Sequence, residues 1–107
     1  MARGVTYIRV CRRGEIAAGE LKPIEVGDRQ LLLAQVDGGY AAFARECPHE
    51  AADLATGVVE GYQVRCANHG YCFDLATGAC QLPKGGPPLT TLPVEVRGEE
   101  ICVKLEW

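Results

Sequence analysis

The sequence predicts an all-β domain, built as an antiparallel sandwich or small barrel. Three observations lead there. Apolar and polar residues alternate with period two through most of the chain. The alternating runs are short and joined by Gly- and Asp-containing turns. No stretch sustains a helical period, apart from one helical turn predicted at 12–18 and bounded by Gly14 and Gly19. Residues 5–11 form the first strand candidate, and 21–26 and 30–36 form two more around Gly27-Asp28-Arg29. Asp37-Gly38-Gly39 turns the chain into a strand at 40–44, which is the Asp-Gly hairpin signal. A second hairpin sets 71–74 against 79–82 about Ala76-Thr77-Gly78, and a third sets 92–97 against 101–105 about Gly98-Glu99-Glu100.

The 107 residues fit one domain, 1–107, with a loop-rich insertion at about 45–88. The net charge of −3 comes without any basic run, which argues against a nucleic-acid partner. No segment has the ~18 or more apolar residues that a membrane span needs, so no membrane partner is expected. The first nine residues lack the continuous apolar core of a signal peptide, which predicts a cytoplasmic location. In that compartment thiols stay reduced, so the six cysteines point to metal ligation before a disulfide framework.

The chain has only two histidines, and each closely follows a cysteine. His49 lies two residues after Cys47, and His69 lies three after Cys66, with sixteen residues between the pairs. Thiolate and imidazole are ligands of zinc, of iron and of iron–sulfur centres. Two loops that each offer one sulfur and one nitrogen suit a pair of adjacent irons, with the sulfurs on one and the nitrogens on the other. A zinc site with the same four residues more often takes a Cys pair from one loop and a His pair from another. Zinc remains the rival.

Cys47-Pro48-His49 together with Cys66-Ala67-Asn68-His69-Gly70-Tyr71-Cys72-Phe73-Asp74 and Thr77-Gly78 resembles the two cluster-binding boxes of Rieske proteins. Gly57, Gly61, the Pro-rich stretch 83–88 and the closing Leu92-Pro93-Val94-Glu95-Val96 extend the likeness to soluble low-potential Rieske ferredoxins. The resemblance implies a Rieske-type sandwich or barrel carrying a small cluster-binding subdomain at about 45–88. It also implies one [2Fe–2S] cluster per chain, on Cys47, His49, Cys66 and His69. High-potential members carry an additional Cys in each box, joined as a disulfide, and Ser and Tyr hydroxyls that hydrogen-bond the cluster. Here Ala52, Asn68 and their neighbours are not Cys, and Tyr71 and Phe73 stand where those hydroxyls would be. Fewer donors around the sulfurs place the potential toward the lower end of the roughly −150 to +300 mV Rieske range.

The implied function is a monomeric one-electron carrier, not itself an enzyme. It takes electrons from a flavoprotein NAD(P)H reductase and passes them to an oxygenase component, such as an aromatic-ring dioxygenase. The alternative from the same resemblance is the small subunit of an NAD(P)H-dependent nitrite reductase. The remaining residues have plainer readings. Cys72 and Cys80 are expected to face each other across the second hairpin as reduced thiols, with a disulfide as the alternative. Cys11 and Cys102 read as small core residues. Tyr71 is either a shield over the cluster or a surface aromatic, and 83–88 either a third covering loop or a surface loop. Glu46, Glu50 and Asp53 read as solvated charge around the first box.

Overall fold

The computed structural model describes residues 4–49, 52–67 and 70–106. Among the described residues, eleven strands run in chain order: β1 (Val5–Arg12), β2 (Leu21–Val26), β3 (Arg29–Val36), β4 (Gly39–Ala44), β5 (Val58–Glu60), β6 (Gln63–Arg65), β7 (Cys72–Asp74), β8 (Cys80–Leu82), β9 (Thr91–Leu92), β10 (Val94–Arg97) and β11 (Glu100–Glu106). The predicted helical turn is a single 3₁₀ turn at Arg13–Glu15, and another follows at Leu54–Thr56. The strands make three antiparallel sheets, ordered β1-β11-β10, β2-β3-β4-β9 and β5-β6-β7-β8.

β3 dictates how the sheets stack. Its Leu31-Leu32-Leu33-Ala34 run is apolar at every position, so both faces of this strand need cover. Leu31 and Leu33 point one way, with Ala42, Leu92, Ile24 and Val26, onto Ile101 and Val103 of β11. Leu32, Ala34 and Val36 point the other way, with Phe43, onto Val64, Phe73 and Leu75. The second sheet is therefore the middle layer between the other two. The β3–β4 hairpin closes through Asp37 (φ 48°) and Gly38 (φ 80°), the left-handed pair that a two-residue turn requires.

The structure adds one detail to the sequence reading and corrects two. Within 45–88, β5 and β6 pair and complete a four-stranded sheet with β7 and β8. The run 92–97 divides at Pro93 into β9, which joins the middle sheet, and β10, which joins the outer one. Pro lacks the N–H that an uninterrupted ladder needs. Cys72 and Cys80 are not opposite one another, since a bulge pairs Cys72 with Leu82 and Phe73 with Cys80. Both thiols are free, as are those of Cys11 and Cys102, which are buried as expected.

Leu32 and Leu33 are adjacent and fully buried, yet serve different layers. Replacing either by Ala is expected to cost about 2–5 kcal/mol in thermal unfolding. Only Leu32→Ala should also speed alkylation of the Cys47 and Cys66 thiols in cofactor-free protein, because those thiols share its layer.

Candidate metal centre

The first box sits in a loop closed at its base by backbone pairing. Beyond β4, Glu46 and Asp53 form an antiparallel bridge, and the Leu54 N–H donates to the Arg45 carbonyl at 2.8 Å. Inside that base, the Cys47 N–H donates to the Ala52 carbonyl at 2.7 Å. Side chains fasten the same junction. Arg45 donates through Nε and a terminal nitrogen to both Asp53 oxygens, at 2.9 and 3.0 Å. The Asp53 carboxylate also accepts from the Ala55 N–H at 2.9 Å and so caps the second 3₁₀ turn. The guanidinium of Arg45 first, and the Ala55 amide second, hold the Asp53 carboxyl below the usual carboxylate range. Asp53 thus has a structural partner in Arg45, a role absent from its reading as solvated charge.

The second box occupies the turn between β6 and β7. The Cys66 N–H donates to the Tyr71 carbonyl at 2.8 Å, and the Gly70 N–H donates to the Cys66 carbonyl at 3.1 Å. Gly57 brings the two loops together. Any Cβ at that position would run into the Arg65 carbonyl oxygen, just before Cys66. Only glycine permits the chain leaving the first loop to lie against the strand entering the second. Neighbouring structure secures the Pro-rich stretch as well. The Cys80 thiol donates to the Pro83 carbonyl at 3.1 Å, and the Gly86 backbone packs on the same sulfur.

Three of the four predicted ligands fall among the described residues, and His69 lies outside them, as does Glu50. The Cys47 and Cys66 side chains are buried in one apolar layer, at 0% and 1% exposure. His49 is half-buried and turns its Nδ1 away from solvent. Its imidazole stacks on the Tyr71 ring, with centroids 3.8 Å apart and planes 19° from parallel. Among the described residues, no three His, Cys, Asp or Glu side chains converge on a single ion. A two-iron group with two protein ligands per iron calls for no such convergence. Two sheltered thiols and an inward imidazole nitrogen, from two loops in contact, fit that donor chemistry.

Comparison with known proteins agrees. Residues 6–94 match the model of the Rieske [2Fe-2S] domain. The chain belongs to the Rieske [2Fe-2S] domain family, whose cofactor is a [2Fe–2S] cluster. It is 31% identical over 98 residues to the ferredoxin component of biphenyl 2,3-dioxygenase from Rhodococcus jostii, covering 92% of each protein. It is 32% identical over 95 residues to human apoptosis-inducing factor 3, covering 89% of this chain but only 16% of that relative's length. Among solved structures, the Sphingomonas yanoikuyae B1 ferredoxin superposes with a TM-score of 0.84 at 28% identity, over 94% of this chain and 99% of that one. A chain from the complex of reduced oxygenase and oxidized ferredoxin in carbazole 1,9a-dioxygenase superposes at 0.82 and 28% identity, over 91% of each. The fold is thus that of Rieske ferredoxins, and the all-β expectation stands. Among the described residues no helix is long and apolar enough to cross a membrane.

Two outcomes test this geometry. Gly57→Ala must force the loops apart, so it should lower the melting temperature and deplete bound iron, read by colorimetric iron assay. Asp53→Asn tests the loop-base pair. A carboxyl with a depressed folded pKa stabilises above its unfolded value of about 3.9 and loses that contribution as pH falls toward the folded value. The melting-temperature gap between wild type and Asp53→Asn should therefore be constant from pH 6 to 8. It should shrink below about pH 4.

Proposed function

We propose that Cys47, His49, Cys66 and His69 hold one [2Fe–2S] cluster per chain, the thiolates on one iron and the imidazoles on the other. The chain acts as the ferredoxin component of a dioxygenase system, taking single electrons from a flavoprotein NAD(P)H reductase and delivering them to the oxygenase. It is a cytoplasmic monomer in this reading, comprising one domain, 1–107, with the cluster-binding subdomain at about 45–88. One observation carries the proposal. The match to a ferredoxin component covers 92% of both chains, and the two Cys–His boxes of this chain lie in loops that bury one thiol each. A second solved neighbour is described as a ferredoxin in complex with an oxygenase, which supports the partner.

When bound, the cluster supplies a one-electron couple that is neutral when oxidised, two thiolates cancelling the core charge, and singly negative when reduced. The protein contributes surroundings to that couple. Cys47 and Cys66 share a buried cluster with Phe43, Leu54 and Phe73 and are shut off from water. The closed loop bases keep both boxes in place through the change of charge. Phe73 presents no hydroxyl, so nothing at that position offsets the added negative charge.

The purified protein should show the absorption and low-temperature EPR of a Rieske cluster and should pass electrons to cytochrome c when driven by a flavoprotein reductase. His49→Ala and His69→Ala should each abolish that spectrum while the far-UV circular dichroism stays β-type. A retained spectrum would refute the ligand set. A colourless protein holding zinc would refute the electron-carrier reading, and obligate co-purification with a sirohaem subunit would move it to nitrite reduction.

A further inference from the structure

We propose that Tyr71 is a positioning residue for the redox site, whose ring clamps the His49 imidazole, excludes water from it and so makes the site harder to reduce. The proposal rests on the cluster reading above. Tyr71 belongs to the second loop, whereas the ring it covers belongs to the first. At 3.8 Å the centroids are closer than the ~4.5–7 Å usual for aromatic pairs, and the 19° angle makes the contact face to face. The Tyr71 backbone is fixed by the bond from the Cys66 N–H to its carbonyl. Its side chain packs on the buried layer that contains Cys47 and Cys66, and Phe73 supports it at 6.4 Å. Swinging the side chain away would give up both the stacking on His49 and the contact with the buried layer.

The consequence for electron uptake follows from charge. Reduction adds one electron to the site and makes and breaks no bond, taking its charge from zero to minus one. Water reaching the imidazole would stabilise the extra negative charge, and a ring lying over it keeps water away. Simple packing by Tyr71 would change stability and leave the potential alone. A clamp and shield changes the potential even in a protein that folds normally.

The test compares wild type with Tyr71→Phe, Tyr71→Leu and Tyr71→Ala by film voltammetry, and by pulsed EPR of the imidazole nitrogens in the reduced proteins. Tyr71→Phe keeps the ring and should match wild type in both. Tyr71→Ala should favour reduction at least threefold, a rise of about 28 mV at 59 mV per tenfold for one electron. Its nitrogen couplings should shift as the imidazole loses its clamp, and Tyr71→Leu should fall between. An unchanged potential in Tyr71→Ala overturns the inference, and so does an equal shift in Tyr71→Phe. If Ala and Leu both lose the cluster, whether or not Phe keeps it, the ring acts through packing alone and the inference falls. A wild-type protein without a [2Fe–2S] signal removes the underlying reading at the first measurement, before any variant is compared.

Discussion

Gly57 and the Arg65 carbonyl meet at a distance that no other residue would tolerate, and the site depends on that contact. The chain leaves the first loop at Gly57, enters β5 and turns back through β6 directly into Cys66. Because Val58 pairs with Arg65, the exit of one loop and the entrance of the other are neighbours in a single ladder. Two loops whose cysteines lie nineteen residues apart in sequence are thereby fixed as a unit. Neither could present its thiol to a shared group if the ladder between them slipped. A one-residue slip would also turn Val59 and Val64 outward, since register and facing are linked in a strand.

Burial completes what the ladder begins. β3 supplies Leu32 and Ala34 to the same apolar layer as Cys47, Cys66 and Phe73, while its other face anchors the β1-β11-β10 sheet. The redox side and the far side of the molecule are joined through one strand with no exposed residue between Leu31 and Ala34. Rigidity at the thiols is thus a property of three stacked sheets and not of the loops alone. A small domain with little core to spare would also gain stability from a bound group that crosslinked those loops.

Much of this was legible in the sequence because its signals are local. Alternation marked β1 and the C-terminal hairpin, apolar runs between turn residues marked β2 to β4, Asp37-Gly38 marked the turn, and cysteine–histidine spacing marked the two boxes. The illegible parts are set by tertiary pairing. β5 and β6 are three residues each and turn only Val59 and Val64 inward, too little to display a period. The bulge that moves Cys80 from Cys72 to Phe73 leaves no trace in a run of hydrophobic and small residues. Arg45 and Asp53 are eight residues apart, a distance at which opposite charges meet only if the loop between them closes. Gly57 was visible as a flanking glycine, but its reason, the Arg65 carbonyl, belongs to another strand.

Electrostatics and packing point the same way. A neutral site that becomes anionic on reduction is penalised by every apolar group around it and helped by every donor or water that reaches it. This chain surrounds its thiols with Phe43, Leu54 and Phe73, and presents an aromatic ring to the first imidazole. Such an arrangement makes the reduced form a readier donor, since the energy that resists electron uptake also favours electron release. That bias suits the proposed function, in which the chain must reduce an oxygenase. Under the proposed ligand set, buried thiols and a covered imidazole would serve one purpose: to hold the group in place and set the direction in which it gives up its electron.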